Sequence, residues 1–213
     1  PAIVNPARTS AFMRSLGVRN KTDRMDARAL AFYGVERAPA PYKPLPAAWA
    51  ELREMSRYRD DLVRQQVAQS NQAGECTSSA AVRTMQARRL REMEKDLKAI
   101  ETKMREFVKK TPELKNDENL LESIYGVGFL TAVAVLSEVG DLRRFSQARQ
   151  LTAFAGLNPQ VRQSGTSVDS KPHMSKQGNP RVRQALYMAA MVAVQKPNPL
   201  QATFNRLVER GKS

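Results

Sequence analysis

The chain has 213 residues, 41% of them hydrophobic, and its 35 Lys and Arg against 21 Asp and Glu give a net charge of +14. That apolar content supports a packed core and excludes disorder throughout, while the single Cys76 and single His173 exclude an internal disulfide framework and a His/Cys metal cage. The positive excess creates a field that attracts polyanions, so nucleic acid is the expected partner.

The first region, residues 1–44, holds a short apolar start "AIVNP", then "TSAFMRSLGV", then "NKTDRMDARALAFYG". The last of these reads as a helix from Asp23 to about Gly34. Asp23 and Asp26 stand three apart in its first turn, on one helical face, where two carboxylates can meet one hard cation. The plainer reading is that they are first-turn acids favoured by the helix dipole. Pro39, Pro41, Pro44 and Pro46 follow within eight residues and forbid a continuing helix, so an extended linker and a boundary are expected near 38–46.

The second region, 45–111, is expected to be a helical arm. Leu90, Met93, Leu97, Ile100, Met104 and Phe107 recur with gaps of 3, 4, 3, 4 and 3, a heptad seam that buries itself only against another helix. Leu52, Met55, Tyr58 and Leu62 make a weaker version. The polar "QSNQAGECTSSAA" between them predicts an antiparallel coiled-coil hairpin folded near residues 74–80, each arm reaching roughly 40 Å at the helical rise per residue.

The third region, 112–213, reads as a small helical domain with one irregular basic loop over 158–180. In "LLESIYGVGFLTAVAVLSEVG", Gly126, Val127 and Gly128 separate two helical stretches, either a turn that only packs two helices or the helix-hairpin-helix pattern. In the latter the second helix offers free N–H groups to a nucleic-acid backbone. Between Arg143 and Arg183 stand eight basic residues (Arg143, Arg144, Arg149, Arg162, Lys171, Lys176, Arg181 and Arg183) against Asp169 alone. Such a run can be a solvated face, yet it repels itself unless counter-charge arrives, and phosphate supplies it. Inside it, Ser164 and Ser167 flank Gly165 and Thr166. Either serine can donate a hydrogen bond to phosphate, or it can act as a nucleophile toward a phosphodiester with arginines stabilising the transition state. His173 is a base in principle without a triad pattern to support it. Asp60 and Asp61 are placed on the arm and Asp117 and Glu118 in a linker, so no further acid stands in a setting that matches Asp23 and Asp26.

No apolar run approaches the roughly 20 residues that cross a bilayer, and no signal h-region or initiating Met is present. The basic residues are spread along the chain rather than gathered on one amphipathic helix. A soluble, cytoplasmic protein without a membrane partner is expected, its chain beginning within a longer protein.

Together "NKTDRMDARALA", the arm, and "YGVGFLTAVAVLSEVGDLRRFSQARQLTAFAGLNPQVRQSGTS…SKQGNPRVRQALYMAA" resemble the DEDD transposases of insertion sequence 110 and the related Piv/MooV DNA invertases. The resemblance spans nearly the whole chain. It implies a mainly α fold comprising the end of an α/β RuvC-like (RNase H-type) domain, the coiled-coil arm, and a helical C-terminal domain with a helix-hairpin-helix. Asp23 and Asp26 match the closing D-x-x-D of an Asp, Glu, Asp, Asp tetrad that holds Mg²⁺. The opening Asp and the Glu would lie upstream of Pro1, so this stretch alone is expected to be inactive. Ser164 matches the serine thought to become covalently attached to DNA, with Ser167 as its rival. The resemblance further implies donor and target DNA, a structured noncoding guide RNA, and a homo-oligomer, dimer or tetramer.

The expected function is therefore that of a transposase or site-specific recombinase. A noncatalytic nucleic-acid-binding protein with a dimerising arm is the alternative, and a metal-dependent junction nuclease without serine chemistry is the third possibility.

Overall fold

The computed structural model describes residues 1–17, 22–75, 78–164 and 168–211, and over 161–164 and 168–172 it describes the backbone alone. The described residues are mainly helical and divide into two compact units, Pro1–Leu45 and Pro46–Ser213.

The first unit packs helix α1 (Pro6–Ser15) against α2 (Asp23–Arg37). Asn5 caps α1 by accepting from the Ala7 N–H at 2.9 Å, and Pro6 occupies the first helical position, where its missing N–H costs nothing. The two helices meet through Phe12 and Tyr33, edge to face at 5.3 Å between ring centres, with Ala29 buried beside them. Residues 38–46, where the four prolines stand, carry neither helix nor strand.

In the second unit α3 (Ala47–Gly74) and α4 (Ala80–Lys110) pack along each other. Met93 and Met104 of the heptad seam are buried and Leu90, Leu97, Ile100 and Phe107 are half-buried, while Trp49, Leu52 and Leu62 are the buried apolar residues of α3. Arg59 donates to Glu101 at 2.7 Å, which fits α4 running back along α3. Pro112 opens α5 (Pro112–Glu122), and a six-residue turn, 123–128, leads to α6 (Phe129–Val139). Nearly all of α6 is buried, against α3, α5 and α8 (Pro180–Ala193). A 3₁₀ turn (Leu142–Arg144), α7 (Ala148–Ala155) and α9 (Pro199–Glu209) complete the helices.

Asp117 and Glu118, expected in a linker, are instead buried on α5. The expected irregular loop is instead an antiparallel ribbon of β1 (Pro159–Ser164) and β2 (Val168–Met174). Its register runs from Pro159↔Met174 and Gln160↔His173 to Arg162↔Ser170 and Ser164↔Val168, so Lys171 and Pro172 together stand opposite Val161 as a bulge. A two-stranded ribbon has only edges, which is why Pro172 and a polar sequence can belong to it.

Candidate functional site

Thr22 sets the start of α2: its Oγ1 accepts from the Met25 N–H at 3.3 Å and its carbonyl from the Asp26 N–H at 2.9 Å. Asp23, exposed, and Asp26, half-buried, therefore share the first turn. Two hard oxygen donors at this spacing fit a divalent ion as part of a ligand set. Among the described residues, no group of three or more His, Cys, Asp or Glu is arranged to hold a metal.

Ser164 ends β1, in the second unit; its side chain lies outside the described atoms, and Ser167 lies outside the described residues. The base of the ribbon is built from two segments in close contact. Gly156, at φ +71°, and Gly178 face each other so closely that a Cβ on Gly178 would fall 2.3 Å from the Gly156 nitrogen and 2.5 Å from the Phe154 oxygen. The Lys176 N–H donates to the Gly156 carbonyl at 3.0 Å, Ser175 Oγ to Asn158 Oδ1 at 2.8 Å, and the Asn179 N–H to the Phe154 carbonyl at 2.7 Å. Arg183 Nη1 donates to the Ala155 carbonyl at 2.9 Å and the Lys176 carbonyl at 3.4 Å. The "AFAGLNP" and "SKQGNPRVR" stretches are thus two halves of one clamp. His173 is exposed beyond it.

Asn179 joins this clamp to the helices. Its Oδ1 caps α8, accepting from the Arg181 and Val182 N–H groups at 2.9 and 3.2 Å, and its Nδ2 donates to Glu138 Oε2 at 2.9 Å. The same carboxylate receives Arg57 from α3, Nε to Oε1 at 2.9 Å and Nη2 to Oε2 at 3.1 Å. Arg53 adds donations to the Ser137 and Glu138 carbonyls at 2.9 and 3.3 Å, a cation at the carbonyl end of α6. Burial pushes the Glu138 carboxyl up, but the hydrogen bonds from Arg57 and Asn179 and the charges of Arg57 and Arg53 outweigh it and hold the group below the ordinary glutamate value.

The basic residues sort into three kinds. Arg143 forks onto buried Asp117, at 2.8 and 3.3 Å, and reaches Asp141 at 3.3 Å, while Arg181 pairs with Asp60 and lies 3.8 Å from Glu138. Part of the missing counter-charge is therefore internal, from acids outside the 143–183 window, and Arg183 is spent on the clamp's carbonyls. Arg144 stacks on Phe145 and Phe154, 4.8 and 4.9 Å from their ring centres. Burial first, then the positive charge of Arg53, hold its guanidinium below the usual arginine range despite Asp141. Lys176 is exposed at φ +54°, a left-handed conformation uncommon for a side-chain-bearing residue. The side chains of Arg162 and Lys171 lie outside the described atoms.

The Gly126-Val127-Gly128 turn uses its glycines differently. Gly126, at φ +84°, touches α8: a Cβ there would lie 2.2 Å from the Ala189 oxygen. Gly128 faces open space and caps α6 without a side-chain acceptor, leaving the first-turn N–H groups to solvent or a ligand. The Arg105 guanidinium lies 4.1 Å from the Phe129 ring centre at this end. Sequence reading passed over Arg105 and Glu138. Glu138 had a signal, a charge inside the apolar run "TAVAVLSEVG"; Arg105 on its charged helix had none.

Residues 118–205 match the Transposase IS116/IS110/IS902 family, and residues 1–80 match a transposase profile of the DEDD IS110 type. The chain is 29% identical over its full length to the pilin gene-inverting protein of Moraxella bovis and to that of Moraxella lacunata, covering 66% of each. Over 85 residues, 40% of this chain and 23% of the relative, it is 39% identical to the transposase for insertion sequence element IS1111A of Coxiella burnetii.

Proposed function

Because this chain belongs to the IS110 family of transposases, we propose that it is the part of a DNA recombinase that cleaves and rejoins strands through a serine on the β1–β2 ribbon and a metal-binding acidic pair on α2. The observation that carries the reading is the build of the ribbon's base. Two glycine-bearing stretches lock together and set the chain that leads to Ser164, within a surface rich in cations.

In this reading Ser164 attacks a DNA phosphodiester phosphorus, its Oγ–P bond forming as the P–O bond to the leaving deoxyribose oxygen breaks. The serine proton passes to solvent base and the leaving oxygen takes a proton. Arg144 and Lys176 are two of the described cations of this region that form no salt bridge, suited to hold phosphate oxygens. Asp23 and Asp26 would hold Mg²⁺, which would supply charge stabilisation to a DNA phosphate when bound. The open N-terminus of α6 and Arg105 contact backbone without reading sequence. DNA is the substrate; a structured guide RNA, a coiled-coil arm and a homo-oligomer belong to the same proposal.

The test uses full-length protein with donor and target duplexes, guide RNA and Mg²⁺, resolved under denaturing conditions. Wild type is expected to give a protein–DNA adduct that Ser164→Ala abolishes, and Asp23→Asn with Asp26→Asn is expected to abolish recombination. An adduct that survives Ser164→Ala but not Ser167→Ala moves the nucleophile; one that survives both removes it.

A further inference from the structure

We propose that Glu138 is a positioning residue, holding the base of the β1–β2 ribbon to α3 so that the segment bearing the nucleophile has one orientation relative to the arm. The inference rests on the reading of Ser164 given above.

Four elements meet at this carboxylate. Arg57 reaches it from α3 as a two-bond fork, Asn179 from the clamp, and Arg181 from α8, while Arg53 of α3 holds the carbonyls of the same α6 turn. Asn179 has no spare group with which to drift. Its N–H, carbonyl, Oδ1 and Nδ2 are all engaged, to Phe154, Arg183, the α8 N-terminus and Glu138. Behind it, Gly178 abuts Gly156, so a turn of Asn179 moves both ends of the ribbon together.

Stability alone gives little reason for a charge here. Glu138 is 5% exposed within a helix otherwise lined by Val133, Val135, Leu136 and Val139, and a buried ion pair is often no more stabilising than an apolar residue of similar volume. What the charge adds is direction. A carboxylate with three fixed donors allows one arrangement of α3, α6 and the clamp, whereas an apolar contact tolerates sliding. Misplacing a reacting group by about 1 Å lowers its rate far more than it lowers binding.

The test measures single-turnover adduct formation and DNA affinity in full-length protein with its duplexes, guide RNA and Mg²⁺. Asn179→Ser keeps a capping oxygen for α8 and removes the donor to Glu138; Arg57→Ala removes the fork, and Arg57→Lys keeps a cation without it. Asn179→Ser and Arg57→Ala are expected to slow adduct formation about tenfold to a hundredfold with affinity within about twofold of wild type, Arg57→Lys falling between. Wild-type rates in both, or rate losses matched by affinity losses, overturn the proposal. Amide exchange over 159–164 and 168–174 in the same variants separates this claim from the serine reading: it is expected to quicken about tenfold in Asn179→Ser. If Ser164→Ala still forms adduct, the nucleophile reading fails while quickened exchange upholds the positioning role; unchanged exchange overturns that role whatever the adduct shows.

Discussion

The Arg57 guanidinium on α3 and the Glu138 carboxylate on α6 form a two-bond fork across 81 positions of sequence, at 2.9 and 3.1 Å. The acid's side chain is 3% exposed and the arginine's 48%, so the pair is dry on one side and screened on the other. Glu138→Gln keeps the shape and removes the charge, leaving Arg57 without its counter-ion. Denaturant melts followed by Trp49, the sole tryptophan and buried at the start of α3, are expected to show a loss of about 1–3 kcal/mol at neutral pH.

The pH dependence of that loss has a definite sign. A carboxyl held lower in the folded chain than in the unfolded one adds stability above its unfolded pKa, and the stability is lost as pH falls through the folded value. The Glu138 carboxyl is held low by Arg57 and Asn179 against the opposing effect of burial. The gap between wild type and Glu138→Gln is therefore full at pH 7 and closes below about pH 4. A gap that widens on acidification contradicts this.

Glu122 is the opposite case. Glu122 is exposed, but partial desolvation by the neighbouring chain, and next the charge and hydrogen bond of Glu118, push its carboxyl above the ordinary value, against Lys115 and Arg105. A carboxyl raised on folding subtracts stability once pH passes its unfolded pKa, so Glu122→Gln is expected to stabilise by about 0.5 kcal/mol at pH 7 and to have no effect at pH 3. Thermal melts at the two pH values check it.

The two glycines of the turn should separate folding from binding. Gly126→Ala drives a Cβ into the Ala189 carbonyl at a positive φ and is expected to cost about 2–4 kcal/mol. Gly128→Ala meets nothing within 4 Å and costs under about 1 kcal/mol, but puts a methyl where a phosphate would approach the α6 N-terminus. Weaker duplex binding at unchanged stability is the expected result for Gly128→Ala, read by anisotropy beside a melt.

A parallel division applies to the cations. Lys176→Gln and Arg144→Gln are each expected to reduce the slope of log affinity against log salt for duplex DNA by about 0.9. Arg143→Ala, which strands the buried Asp117, is expected instead to lose about 1–3 kcal/mol of stability. A salt titration and a melt for each variant distinguish the two groups.

What the sequence revealed follows from which signals are local. The helix start at Asp23, the apolar spacing from Leu90 to Phe107, and the prolines between 39 and 46 that end the helix are neighbour effects, readable without tertiary knowledge. The β1–β2 ribbon was not legible, because its residues are polar, carry a proline and lack the alternation that marks a strand. The partners of Arg143 and Arg181 escaped for a different reason. Asp117, Asp60 and Glu138 lie 26, 121 and 43 positions away, so charge counted in a window missed the acids that fold onto it. The glycine contact of the clamp was not legible, since nothing in "AFAGLNP" announces that Gly178 will press against Gly156.

The most direct measurement is the identity of the residue that carries DNA. After reaction of the full-length protein with donor duplex, guide RNA and Mg²⁺, nuclease and protease digestion followed by mass spectrometry should locate a nucleotide on the peptide spanning β1, at Ser164. A nucleotide on Ser167 or on another side chain, or strand exchange that proceeds with no nucleotide on protein, would contradict the account.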